Sequence, residues 1–212
     1  MTDNIHVASD LAKNQLYSDV APEDLKWTLA SGSSTETQTF YLSTKEGHFA
    51  FVQMIHSNIG SSGFVEHKFW PKGIVNGTFV VDGRKFDVSG TGLFVHAIQG
   101  MRPHLIASKW NFINFQSDIS SLSMCEFEAT PYYGGVKVNQ GSLMLNDKLI
   151  GVSIDNKAEF VETELDLDTG YNIPKKINYV WEGRTLEGGE DYTVTIEIMP
   201  TILMDKIDVL NE

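Results

Sequence analysis

The feature that most constrains this chain is a regular recurrence of short alternating runs, with no long, clean helical stripe beside them. Residues 25–29 set Leu25, Trp27 and Leu29 on one parity and Lys26 and Thr28 on the other. Such period-two alternation marks a half-buried strand. Residues 37–42 repeat it, and 48–57 form a longer β-rich run. Further runs cover 74–81, 85–88, 90–99, 120–129, 136–145, 148–154, 177–181, 192–198 and 202–209, with another strand possible at 157–164. Turn residues punctuate them: Lys45-Glu46-Gly47, Asp82-Gly83, Gly100 to Pro103, Gly134-Gly135 and Asn146-Asp147. Asp-Gly between two such runs is a strong hairpin signal. Residues 104–115 stay ambiguous, because Leu105, Ile106, Lys109, Phe112 and Ile113 could also share a helical face; the extended reading is preferred. Residues 60–63 read as a flexible break and 166–174 as a connection between strands. About twelve short β segments, spaced by roughly ten to fifteen residues, define an all-β chain, a sandwich or a barrel.

Hydrophobic residues make up 42% of the 212, enough for a real core. The net charge of -12 repels nucleic acid, and no basic patch offsets it. It also disfavours broad attraction to anionic membranes, though a local membrane contact stays open. The single cysteine, Cys125, forbids an internal disulfide and suits a reducing compartment. It reads as a buried structural thiol. The first twenty residues are polar, with no apolar core of a secretory signal. The expectation is a soluble, intracellular protein.

No catalytic or metal constellation stands out. The six histidines form no His-x-His or Glu-x-x-His pair. The acids at Glu159, Glu162, Glu164, Asp166 and Asp168 lack the glycine and graded ligands of a calcium loop. The stretch from Gly60 to Gly63 lacks the Lys-Ser or Lys-Thr of a phosphate-binding loop, and no Gly-x-Ser-x-Gly elbow occurs. His96, in the apolar run 93–99, reads as a core histidine bonded to backbone or as a ligand contact. The indoles of Trp70, Trp110 and Trp181 can pack a core or wall an apolar cavity while offering an N–H. Arg102-Pro103-His104 places a cation beside an imidazole at a turn. Trp70, His96, Trp110, Phe112 and Trp181 are the candidate pocket residues; no cofactor, metal or catalytic residue is expected.

Several longer strings then matter: Phe69-Trp70-Pro71-Lys72, the run from Ile98 to His104, Lys109-Trp110-Asn111-Phe112, and Thr39-Phe40-Tyr41-Leu42 followed by the run from Gln53 to Asn58. In content and order they resemble the fungal survival-factor family, from about residue 24 onward. That resemblance implies a lipocalin-like (calycin-like) antiparallel barrel or open barrel. It implies a lipid partner, ceramide or another apolar molecule, carried between endoplasmic reticulum and Golgi, and a link to survival under oxidative stress. The location implied is the cytoplasm with peripheral contact to those membranes, the nucleus remaining possible. Family members are usually longer between the His-Ser-Asn and Phe-Trp-Pro strings, where only residues 59–68 stand here.

Residues 1–22 are therefore read as a lead-in and 23–212 as the β domain. Within it, 23–59 is a possible remnant of a first β unit, 60–66 a seam and 67–212 the second unit. The leading function is a non-catalytic lipid-binding module. An enzyme on an apolar substrate is the alternative, and His96 with a nearby carboxylate is the place to look for its acid–base pair. A structural or interaction domain without a ligand is the third reading.

Overall fold

The computed structural model describes residues 16–28, 34–45, 47–58, 64–100 and 106–200. Thirteen strands account for most of it: β1 Thr35–Thr44, β2 Phe49–Ser57, β3 Val65–Val75, β4 Thr78–Val81, β5 Arg84–Asp87, β6 Gly90–Gln99, β7 Ala107–Gln116, β8 Ser120–Ala129, β9 Lys137–Leu145, β10 Lys148–Ser153, β11 Lys157–Leu165, β12 Asn172–Arg184 and β13 Asp191–Ile198. Two short 3-10 turns, Pro22–Leu25 and Pro131–Tyr133, are the other regular elements among the described residues. All paired strands are antiparallel. The chain is all-β, as its alternation predicts, and its sheets stay open.

The first sheet has the order β2-β1-β6-β3, the second β10-β9-β8-β7 and the third β11-β12-β13; β4 and β5 form a separate hairpin. Turn chemistry sets the tight hairpins. Asp82 and Gly83 have φ of 50° and 76° between Val81 and Arg84, and Asn146 and Asp147 have φ of 47° and 62° between Leu145 and Lys148. Positive φ at both central residues matches the right-handed twist of the flanking strands. The ambiguous stretch resolves as strand: β7 pairs with β8 from Ala107 to Gln116.

Three expectations are corrected. Residues 25–28 supply no strand, and residue 29 lies outside the described residues. Pro22 opens a 3-10 turn there, and the Asp24 carboxylate accepts the Ala21 N–H at 2.9 Å. Residues 74–81 are not one strand: β3 runs through Pro71 to Val75, and β4 begins only at Thr78. Proline is tolerated because β3 is an edge strand with a register shift between Trp70 and Gly73. Pro174 is not in a connection; β12 already runs from Asn172, opposite an irregular part of β11. The readings at 1–15, 60–63, 102–104 and 202–209 lie outside the described residues.

The layers follow from parity, because residues directly opposite in a pair share a sheet face. The second sheet is covered on both faces. One face sends Ile113, Leu122, Met124 and Leu143 against Ile177, Tyr179 and Trp181 of the third sheet. Trp181 is wholly buried there, and its indole N–H donates to the Ser123 carbonyl at 2.9 Å. The other face carries Trp110, Phe112 and Phe127 toward the first sheet. Phe112 meets Tyr41 at 5.1 Å between ring centroids, and Trp110 stacks on His67 at 6.2 Å. The outer face of the third sheet is solvated and tied by Lys157–Glu182 and Lys176–Glu197 pairs at 3.0 and 2.7 Å.

Candidate functional site: a cleft along the free edge of β3

The first and second sheets do not close on each other along their whole length. A half-open cleft of about 700 Å³ follows β3, lined by His67, Lys68, Phe69, Trp70, Pro71 and Lys72. Its facing wall comes from Gln140, Ser142 and Met144 of β9 and Leu149 and Val152 of β10. These five share the inner face of the second sheet by register. The segment from Leu16 to Val20 forms a third side, and Leu186 and Glu187 an end. Leu16, Val20, Phe69, Met144, Leu149, Val152 and Leu186 make much of the lining apolar, while Lys68, Lys72, Asp19 and Glu187 give it a charged margin. A second depression of about 650 Å³ sits at the rim of the third sheet and is lined by Lys157, Glu182, Arg184 and Asp191 among others; it is polar.

Specific bonds hold the cleft's walls apart and together. The Pro71 carbonyl accepts from Gln116 Nε2 at 2.9 Å and from the Ser121 hydroxyl. Lys72 pairs with Asp147 at 2.8 Å, from a side chain that is mostly buried itself. These contacts dock β3 on the ends of β7 to β9. Two lining residues carry buried polar atoms with no protein partner: the Trp70 indole N–H and His67 Nε2. Burial also lowers the His67 pKa below its ordinary value, so the ring is held neutral.

The third wall is anchored by a buried polar cluster on the opposite face of the first sheet. Glu36 and His96 are 0% and 2% exposed, and His96 Nε2 lies 2.6 Å from Glu36 Oε1. His96 Nδ1 lies 2.7 Å from the Asp24 carbonyl. That carbonyl can only accept, so Nδ1 donates. Thr28 donates its N–H to both Glu36 oxygens at 2.9 and 3.1 Å and its hydroxyl to one of them. Gln38 donates to the Leu25 carbonyl at 3.0 Å, and Lys68 pairs with Asp24 at 3.1 Å. The backbone N–H of Ala21 and the Lys68 ammonium together hold the Asp24 carboxyl below its usual range. Trp27 sets its edge on His96, with centroids 6.5 Å apart. Residues 21–28 thus form a strap, hooked by side chains of β1, β3 and β6, that leads directly out of the Leu16–Val20 wall.

Of the five candidate pocket residues, Trp70 lines the cleft. Trp110 and Phe112 lie between the first and second sheets, behind His67 and Tyr41. His96 does have the carboxylate partner that acid–base work would require, yet both ring nitrogens are occupied in anchoring the strap and neither His96 nor Glu36 lines the cleft. Trp181 belongs to the filled core between the second and third sheets. The β9 and β10 wall went unnoticed in the sequence, although Gln140, Ser142 and Met144 share one parity there. No group of three metal-ligating side chains occurs among the described residues, and no helix among them is long and apolar enough to cross a membrane. Cys125 sits on the inner face of the second sheet, opposite Phe112. Burial pushes its thiol up to about 12, which suits structural packing rather than thiolate chemistry.

Stacked open antiparallel sheets with a partly apolar cleft beside β3 define an open all-β protein. The chain belongs to the Svf1 family, whose profile matches residues 1–62 and 60–212. It is 29% identical over 286 aligned positions to the ceramide-binding protein svf1 of Schizosaccharomyces pombe, covering 90% of this chain and 75% of that one. It is 40% identical over 152 positions to the protein of the same name from Emericella nidulans, covering 71% of this chain and 39% of that one. Neurospora crassa ceramide-binding protein svf-1 is 24% identical over 303 positions, at 98% and 79% coverage. The chain therefore spans well under half of the Emericella relative within that alignment. A solved structure from Nitrosomonas europaea superposes with a TM-score of 0.48 at 11% identity, over 87% of this chain and 97% of that one.

Proposed function

We propose that this chain is a non-catalytic lipid-binding module that shelters the apolar part of a ceramide-like lipid in the cleft along β3. The observation that carries the proposal is the cleft itself: about 700 Å³, walled by Phe69, Trp70, Met144, Leu149 and Val152, and bounded by a charged margin. Each acyl methylene removed from water there contributes about 0.8 kcal/mol, so a long chain needs few polar contacts for useful affinity. The unpartnered indole N–H of Trp70, a residue that lines the cleft, offers a donor to an amide or hydroxyl headgroup, in a place where leaving it unpaired is costly. Relatives across 286 and 303 aligned positions are named for binding ceramide, which supports the same class of ligand here. Transfer between endoplasmic reticulum and Golgi, and a role in oxidative-stress survival, belong to this proposal as its cellular expression.

The test is titration of the purified chain with a fluorescent short-chain ceramide, beside a Leu149→Trp variant that fills the cleft. Saturable binding is expected, weakened at least tenfold by the substitution with folding unchanged by circular dichroism. Equal binding by both proteins would remove the cleft as the site. No binding by either would end the carrier reading.

A further inference from the structure

Strand β2, Phe49–Ser57, is the outermost strand of the first sheet. Its nine residues read Phe-Ala-Phe-Val-Gln-Met-Ile-His-Ser and contain no Asp, Glu, Lys or Arg. It shows large apolar side chains on both faces, with Phe51 62% and Ile55 61% exposed on one and Val52 and Met54 exposed on the other. Exposed sheet edges are normally protected against pairing by charge, proline, bulges or a covering element. Every other edge of the three larger sheets has such protection. β3 carries Glu66, Lys68, Pro71 and Lys72 and a bulge; β7 carries Lys109, β10 Lys148, β11 four charges, and β13 Asp191 and Glu197. β2 alone among them is charge-free and regular, pairing with β1 without a register shift.

Among the described residues no strand pairs with the outer edge of β2. The fission-yeast alignment runs over 286 positions, more than the whole of this 212-residue chain. That relative therefore carries residues inside the aligned span that have no counterpart here. The family profile breaks at residues 60–62, just beyond the end of β2.

We propose that β2 pairs with β2 of a second copy of this chain, antiparallel about a twofold axis at Gln53, joining two four-stranded sheets into one continuous sheet. A twofold contact is isologous, so the strand must be complementary to itself. In this register Phe51 meets Ile55 of the second copy, Val52 meets Met54, and the two Gln53 amides meet each other. Each pair is apolar with apolar or amide with amide. Charge also selects this edge: copies of net charge -12 repel, and β2 is where they can approach without opposing like-charged side chains. The contact does not involve the cleft, so it stands apart from lipid binding. A single strand pair is a small interface, and half-dissociation on the order of ten micromolar is expected.

Sedimentation velocity over a concentration series tests this, together with charge variants and a register-specific cross-link. The parent chain is expected to shift from monomer to dimer. Phe51→Lys is expected to weaken dimerisation at least tenfold. Adding Ile55→Glu to it restores dimerisation in low salt, because the introduced ammonium of one copy then faces the introduced carboxylate of the other across the axis twice. In a Cys125→Ser background, Gln53→Cys is expected to form an intermolecular disulfide under mild oxidation, since residues on the axis lie about 4.5–5.5 Å apart at Cα. Ser57→Cys, whose partner in this register is Phe49, is not. A chain that stays monomeric throughout, open-ended oligomers, or cross-linking as efficient from Ser57→Cys as from Gln53→Cys would each overturn the proposal.

Discussion

The two ends of this sheet stack solve the same burial problem differently. Between the second and third sheets the space is filled: Trp181, Met124 and Leu143 are at most 2% exposed, and the only indole polar atom there is bonded to backbone. Between the first and second sheets the packing is loose. Its aromatic residues stay partly exposed and a cleft runs along β3. The first sheet is held instead by polar hooks on its far face, while β2 leaves large apolar side chains exposed. One interface supplies stability, and the other gives up stability for accessible apolar volume. A filled core cannot admit a ligand without costly repacking, so binding has to be placed where the packing is incomplete.

The sharpest way to break this contrast is to excavate the filled side. Trp181→Ala is expected to cost about 3–5 kcal/mol in urea unfolding, and it removes the indole donor to the Ser123 carbonyl as well. Phe51→Ala on β2 is expected to change stability by about 0.5 kcal/mol or less, measured below the dimerisation range. Equal costs at the two positions would remove the distinction.

The polar hooks come next. Glu36→Ala strands a buried His96 and two Thr28 donors, and breaking a buried pair of this kind costs about 3 kcal/mol. The loss is expected to show first as faster amide exchange in residues 21–28, ahead of the second and third sheets. Exchange rising evenly across all three sheets would mean that the cluster supports the whole fold and not the strap.

A smaller effect follows from His67. Burial lowers its pKa in the folded chain, so the unfolded chain binds more protons once pH drops below about 6.5, the ordinary histidine value. Stability contributed by the neutral ring is complete above that pH and is lost as pH falls from there toward the folded pKa. His67→Phe keeps a ring against Trp110 and is expected to flatten this part of the stability profile. Identical slopes for parent and variant between pH 7.5 and 5 would show that His67 is protonated as readily in the folded chain.

The sequence carries the fold more fully than the site. Alternation and the turn pairs Asp82-Gly83 and Asn146-Asp147 locate most strands, because both signals are local. Residues 25–29 mislead for a definable reason: Leu25 and Trp27 alternate with polar neighbours, but Pro22 and the Asp24 carboxylate set a turn first. The strap's carbonyls are then taken by Gln38 and His96, far along the chain. Trp70 and Trp181 are both indoles beside polar residues, and in sequence each can pack a core or wall a cavity. Only pairing register tells which space each enters. The β9 and β10 wall was hidden similarly: its residues acquire a common purpose only when β3 lies across from them.

The strap also bears on time. The Leu16–Val20 wall belongs to no sheet, and among the described residues its continuation is held by a handful of bonds through Asp24, Leu25 and Thr28. Such a segment can detach by local opening at a fraction of the global unfolding free energy. The residence time of anything held in the cleft is then governed by how often the strap's bonds to Glu36, Gln38, His96 and Lys68 let go together, and the remaining sheets can stay as rigid as their cores make them.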